Sequence, residues 1–213
     1  MFIPAKFRQT DFAEIRRFLA AHPLATLVVQ HDNRLQAAHI PLYWHDNGRE
    51  WGALRGHFAK ANPIWQAAGA ENRWLAVFQD SGCYISPNWY PSKQRDHKAV
   101  PTWNYQAVHL EGHLTLIDDA DTVYTILAEL SRIHEADQPR PWQLADAPQD
   151  YIQAMYKALK CFELTVENVE AAYKLSQNQS EENRNGVLDG LAGQDGAAAQ
   201  EMIRNIARFA PDA

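Results

Sequence analysis

The stretch Val100-Pro101-Thr102-Trp103-Asn104-Tyr105-Gln106-Ala107-Val108-His109-Leu110-Glu111-Gly112 constrains the fold more than any other. Past Pro101 it is rich in aromatic and branched residues, which predicts a strand. Side chains alternate across a strand. One face carries Asn104, Gln106, Val108 and Leu110, then Leu114 and Leu116 beyond Gly112, so it turns into plain core halfway along. The other carries Trp103, Tyr105, Ala107, His109, Glu111 and His113. An aromatic, hydrogen-bonding face suits neither open water nor a dry core. It suits a surface covered by a planar polar ligand, by a second subunit, or by both. The simpler alternative is an ordinary strand with a half-exposed aromatic face.

The rest of the chain supplies strands and helices around this one. Thr10 caps an expected helix over 11–21, with Phe12, Ile15, Phe18 and Leu19 as its apolar stripe. Strands are expected over 24–30 and 35–44, joined by the turn His31-Asp32-Asn33-Arg34, and then over 51–58. Asn62-Pro63 reads as a cap and first residue of a short helix ending near Gly69. Further strands are expected over 74–79 and 83–86. Asp118 caps a helix carrying Val123, Ile126, Leu127, Leu130 and Ile133. A helix over 149–160 is expected to bury Tyr151, Ile152, Met155, Ala158 and Leu159, ahead of a strand over 161–173. Ser180 opens a helix, Gly190 to Gly196 interrupts it, and a last one shows Ala199, Met202, Ile206 and Phe209. Short strands with turns between them predict a mainly β, α+β protein built on an antiparallel barrel.

Composition narrows the function classes. A chain of 213 residues, 46% hydrophobic and 22% charged, reads as one large domain or one domain with appended helices. The formal charge of -6 argues against coating nucleic acid by bulk electrostatics. No run approaches the ~18–20 apolar residues that cross a bilayer. Met-Phe-Ile-Pro-Ala-Lys-Phe at the start lacks a secretory pattern, and Cys83 and Cys161 make no disulfide framework. A reduced, cytoplasmic protein is expected. There is no H-E-x-x-H, C-x-x-C, Walker loop, dinucleotide fingerprint or nucleophile elbow. No catalytic residue and no metal site are assigned, because His109 and His113 alone make too few ligands.

Several stretches carry binding chemistry. Gly56-His57-Phe58-Ala59-Lys60-Ala61-Asn62-Pro63 ends a strand at a helix start, a natural anion position, although a capped helix with an exposed lysine explains it too. His39 and His57 share a polar face if their strands pair. Tyr84-Ile85-Ser86-Pro87-Asn88-Trp89-Tyr90 reads as a rigid, aromatic-walled turn. Lys174-Leu175-Ser176-Gln177-Asn178 gathers a cation, a hydroxyl and two amides at a strand end, the donors a phosphate or ring carbonyl needs. The loop 93–98 holds the densest positive charge.

Those motifs, with Met1-Phe2-Ile3-Pro4 and Val100-Pro101-Thr102-Trp103-Asn104-Tyr105, stand in an order that resembles the PaiB-type family of FMN-binding negative transcriptional regulators. The resemblance runs from residue 1 to about residue 191. It implies a split β-barrel like that of the pyridoxamine-phosphate oxidases, and a homodimer with FMN between subunits. By position it carries His39, Ile40, Gly56, His57, Lys60 and Asn62 into the FMN site, together with Thr102, Trp103 and Asn104 and with Lys174, Ser176 and Gln177. An arginine-lysine phosphate clamp is not evident. Residues 1–178 are then the flavin-binding domain and 179–213 a helical extension packed on it.

The regulator name implies DNA as a partner. Residues 181–210 have a helix–turn–helix outline, but Arg184, Arg204 and Arg208 sit among Glu181, Glu182, Asp189, Asp195 and Glu201, so two packed, capped helices are the reading here. The alternatives are an FMN-dependent oxidoreductase, with His57, Tyr105 and His109 as candidate proton donors, and a haem-binding split barrel using one of nine histidines.

Overall fold

The computed structural model describes residues 1–210. The chain forms two compact units. Unit 1 comprises Met1–Ile15, Gln79–Val108 and the chain from Glu170 onward, and unit 2 comprises Arg16–Phe78 and His109–Val169. Among the described residues the strands are β1 (Arg8–Gln9), β2 (Leu24–His31), β3 (Arg34–Pro41), β4 (Tyr43–His45), β5 (Ala53–Ala59), β6 (Trp74–Gln79), β7 (Cys83–Ile85), β8 (Thr102–Ile117) and β9 (Leu159–Lys174). The helices are α1 (Phe12–Ala21), α2 (Lys93–Asp96), α3 (Ala120–Glu135), α4 (Gln149–Lys157), α5 (Glu181–Ala192) and α6 (Ala197–Arg208). The sheet runs β3-β2-β6-β8-β9-β5-β4, with β1 added on β9 and β7 on β8. Among the described residues no helix is long and apolar enough to cross a membrane. The expected extension 179–213 is described as far as residue 210; its last three residues lie outside the description.

The β2–β3 hairpin follows from its turn. Asp32 and Asn33 both take positive φ, 50° and 56°, which these short polar residues tolerate and which matches the twist of the strands. The single strand expected over 35–44 is two. Pro41 has no N–H to extend the β2 ladder, and the next residue, Leu42, is buried and donates to Pro23 O at 2.9 Å. The chain then re-enters as β4, paired with β5. So β3 pairs β2 while β5 pairs β9 and β4, and His39 and His57 do not lie on partner strands.

The alternation of β8 holds: Asn104, Gln106, Val108, Leu110 and Leu114 are buried, and Trp103 is exposed. In unit 2, β5 and β9 stack Phe58 on Phe162 at 4.4 Å between ring centroids. Ile126, Leu127 and Leu130 of α3 pack on Cys161, as their spacing along the helix predicts. Two caps shift by one residue. Asp11 Oδ1, not Thr10, accepts from Ala13 N at 2.9 Å, and Asp119 Oδ2, not Asp118, accepts from Thr122 N at 2.9 Å. In both cases the carboxylate nearest the first turn takes the free N–H. Asp118 instead accepts from Lys160 Nζ at 3.0 Å. The helix expected over 149–160 stops at Lys157 and buries none of its residues; Tyr151 and Met155 are exposed. Its apolar face is covered only in part: Ile152 and Tyr156 are half-buried, and Tyr156 packs against the cluster of Ile126, Leu127, Leu130 and Cys161.

Where β8 and β9 run side by side in unit 2, a Cβ on Gly112 would stand 1.8 Å from Thr165 O. A backbone oxygen cannot yield as a side chain can. We expect Gly112→Ala to destabilise the protein by about 3 kcal/mol. The check is a fall in the urea midpoint at unchanged slope, and an unmoved midpoint would contradict this account.

Candidate functional site

The cleft in unit 1 is assembled where β8 begins and β9 ends. Beyond Lys174 the chain turns sharply at Ser176, which sits at φ 61°, a left-handed conformation that costs a non-glycine residue about 1 kcal/mol or more. Gln177 holds that turn: its Oε1 accepts from Leu175 N at 2.7 Å and its Nε2 donates to Tyr173 O at 2.5 Å. Its amide is therefore committed to the turn, and Gln177 acts on the site by positioning its neighbours. Ser176, 3% exposed, accepts at Oγ from Asn104 Nδ2 at 2.8 Å, and Asn104 is 1% exposed. Beside them Lys174 Nζ donates to Thr102 Oγ1. Burial first, and the nearby Lys6 ammonium second, hold the Lys174 pKa below the ordinary lysine value.

These groups open onto a cavity of about 350 Å³ that Lys6, Lys98, Ser92, Asn178 and Asn183 also line. Asn183, buried at the base of α5, accepts from Ser92 N at 3.2 Å and donates to Ser92 Oγ at 3.0 Å. Among the described residues no carboxylate lines the cavity. On the outward side of β8, Trp103 is 55% exposed and meets the 44% exposed Tyr84 edge to face, with ring centroids 6.2 Å apart. The arrangement offers cations, amides and a hydroxyl to an anion, and flat aromatic faces to a planar ring.

Unit 2 holds the other six residues expected at the site, and they divide by what they touch. Ile40 is core, and Gly56 is required by packing, since a Cβ there would meet Leu42 Cδ2 at 2.6 Å. Asn62 caps a single 3-10 turn, Pro63–Ala67, by accepting from Ile64 N at 3.2 Å. One turn in place of the expected helix leaves no open N-terminus for an anion. Lys60 is exposed, and its backbone is bonded to Ala158 O and Trp65 Nε1. His39 Nδ1 lies 3.0 Å from Thr26 Oγ1. His57 differs from these: its Nδ1 is buried with no hydrogen-bond partner, burial lowers its pKa, and it borders a cavity of about 210 Å³ with His134, Glu135 and Trp142. Tyr105 and His109 are half-buried on β8. Both thiols are buried, and burial pushes Cys161 up to about 11, so neither is primed as a nucleophile.

The cleft thus unites Thr102, Asn104, Lys174 and Ser176, with Trp103 on the neighbouring face. Sequence reasoning missed Lys6, Ser92 and Asn183 altogether. Lys98 was present only as one charge in the basic loop, whose other charges are spent elsewhere: Arg95 pairs with Glu182 at 2.6 Å and Lys93 donates to Asn88.

Fold and cleft together describe an antiparallel sheet with a cavity lined by lysines and amides. Residues 1–168 match the family described as "Putative FMN-binding domain", and the chain belongs to that family. It is 33% identical over 204 residues to Protease synthase and sporulation protein PAI 2 of Bacillus subtilis, covering 95% of this chain and 94% of that protein. The PaiB-type resemblance carried by the ordered motifs therefore holds. Among solved structures, the FAD and Heme binding protein of Mycobacterium smegmatis superposes with a TM-score of 0.57 at 16% identity, over 78% of this chain and 73% of that one. Conserved hypothetical protein Rv2991 of Mycobacterium tuberculosis gives 0.56 at 10% identity, over 85% and 95%. These likenesses show the fold, the expected split β-barrel. FMN is the cofactor that family membership assigns. The donors around the unit 1 cleft fit it, with lysines for the phosphate and an exposed tryptophan for the ring.

His57 and His45 are both held below the ordinary imidazole value of 6.5, each chiefly by burial. An imidazole depressed in the folded state takes its proton more readily when unfolded. Its stability contribution is therefore full above about 6.5 and declines as pH falls from there toward the folded value. We expect a lower urea midpoint at about pH 5 than at about pH 7.5, and a smaller difference in His57→Gln, with His45 carrying the rest. A difference that His57→Gln leaves intact would contradict the burial account.

Proposed function

We propose that the protein is an FMN-binding homodimer that serves as a regulator, with the flavin seated at the unit 1 cleft and covered by the partner subunit. The observation that carries this reading is the cleft itself: Thr102, Asn104, Lys174 and Ser176 line one cavity, free of carboxylates among the described residues, beside an exposed Trp103. In the second unit, Ile40, Gly56 and Asn62 serve the fold.

A binding role is favoured over turnover by what lines the cleft. Among the described residues no histidine, carboxylate or cysteine is there to move a proton near neutral pH, and burial raises the Tyr90 phenol above its ordinary value. Bound FMN would supply redox chemistry itself, and these residues would bind and orient it. The oxidoreductase reading therefore needs a proton donor from elsewhere, and the haem reading lacks an axial histidine in the cleft.

Direct DNA reading by α5 and α6 has no support in their packing. A Cβ on Gly186 would fall 2.0 Å from Trp89 O and one on Gly190 2.2 Å from Trp89 Cδ2, so α5 lies flat against that tryptophan. Helix α6 turns Ala199, Met202 and Ile206 inward. Arg184 donates to Gln179 O and Arg208 to Glu14, which removes two of the three helix arginines from a phosphate backbone. Trp89 beneath α5 likewise supports taking residues 179 onward as an extension of a flavin-binding part spanning 1–178. Regulation would act through the flavin-bearing dimer and its partners.

Purified protein titrated with FMN should quench flavin fluorescence and elute at twice the monomer mass. Lys174→Ala should weaken FMN by about tenfold to a hundredfold, the worth of one charge-assisted hydrogen bond. Reduced nicotinamide should not bleach the bound flavin. No flavin retention, or rapid bleaching with turnover, would overturn the binding reading and the regulatory reading respectively.

A further inference from the structure

Helix α3 borders another cavity, apart from the flavin cleft and wholly within unit 2. Its volume is about 660 Å³, in the range of small-molecule sites. One wall is the α3 surface at Tyr124 and Ala128, and the other is the segment 141–145, with Trp142 and Leu144. That second wall is anchored at two points. Glu135, the last residue of α3, accepts at Oε2 from Trp142 N at 2.9 Å. Leu144 packs on the cluster of Ile126, Leu127, Leu130 and Cys161. The segment therefore stands off the helix instead of collapsing onto it. Trp142 is left 40% exposed and Tyr124 50% exposed. Rings left half in water gain when an apolar body covers them.

The polar groups of the lining say what that body is. Arg132 and Glu129 are its charged residues among the described ones. They neutralise each other through two hydrogen bonds, 2.8 Å from Nε and 2.6 Å from Nη2. Thr125 Oγ1 donates to Asp121 O at 2.8 Å and Ser131 Oγ to Leu127 O at 2.9 Å, so both helix hydroxyls have given their hydrogen to the backbone. Among the described residues the cavity thus keeps no spare cation for an anion and no spare carboxylate for a cation. A charged ligand would lose hydration here and gain no partner.

We propose that this cavity binds an uncharged, largely aromatic small molecule that covers Tyr124 and Trp142. Glu135 is a positioning residue, acting through the main chain of Trp142. Binding rests on neither the flavin nor the regulatory reading; under the latter, the molecule is the effector.

The test titrates the full chain with N-phenylnaphthylamine, a neutral fluorescent aromatic, and with anilinonaphthalene sulfonate, which adds one negative charge to the same body. The neutral probe should bind one per chain, about tenfold or more tighter than the sulfonate. Ala128→Phe, which fills the cavity from α3, and Trp142→Ala, which removes part of its wall, should each weaken the neutral probe by about tenfold or more. Trp142→Phe should bind close to wild type. Neither position is buried, so near-normal thermal melts are expected, and if Trp142→Ala melts early then Ala128→Phe carries the test. FMN is the control ligand, because Trp142 also borders the smaller cavity beside His57. It should neither displace the probe nor bind the variants differently. A sulfonate that binds as tightly, several probes per chain, or affinity untouched by Ala128→Phe would overturn the proposal. So would displacement by FMN, which would give the cavity to the flavin, or affinity that rises on dilution, which would give it to a second copy of the chain. Wild-type protein that binds the neutral probe but no FMN would sink the flavin reading and leave this site standing.

Discussion

At Gly112 the two sixteen-residue strands, β8 and β9, leave no room for a side chain, with Thr165 O occupying the space any larger residue would need. Antiparallel pairing of long strands brings the beginning of one beside the end of the other. The start of β8 supplies Thr102 and Asn104, the end of β9 supplies Lys174, and Ser176 follows in the next turn. The buried bond from Asn104 to Ser176 is the local product of that arrangement. Neither residue belongs in an interior by its own chemistry. Each satisfies the other, which is the condition for burying polar groups without a large penalty.

Stability and binding pull against each other at this cleft. A left-handed serine, a desolvated lysine and neighbouring ammoniums are all unfavourable in the isolated fold. They persist because the surrounding pairing is extensive and because Gln177 ties the turn on both sides. The same features make the cleft receptive to a compact anion. The aromatic face of Trp103 and Tyr84 is a second, separate preference: it offers flat apolar area and no charge, which suits a ring or a partner surface. A phosphorylated flavin satisfies both preferences at once. This also explains how a protein of net charge -6 holds an anion, since what matters is the local convergence of a few donors.

Particular residues show how far the amino-acid order could be read. The β8 alternation was legible because side-chain period on a strand is a local property, and α3 and α6 were legible for the same reason at the helical period. Lys174 and Ser176 could be singled out because donors cluster there within five residues. Gln177 stood in the same cluster, yet its amide turned out to be used by the backbone. Sequence lists donors without saying which are already committed. Gly56 stood at a strand end in a stretch read as an anion position and is a packing glycine against Leu42. The short helix after Asn62 shrank to one 3-10 turn, and α4 kept its periodicity with Ile152 and Tyr156 only half-buried. Period predicts a helix's shape but not how fully a neighbour will cover it.

On its own the sequence determined the strand and helix periods, the turn at Asp32-Asn33, the ordered motifs that mark the family, and the chemical character of each candidate stretch. All of these follow from interactions between residues near in the chain. Only the tertiary structure decided that β3 and β4 part company at Pro41, and that Lys6 and Lys98 meet Lys174 across gaps of 168 and 76 positions. The meeting depends on strand register and on a close backbone crossing. Those are properties of paired segments, and no single segment encodes them.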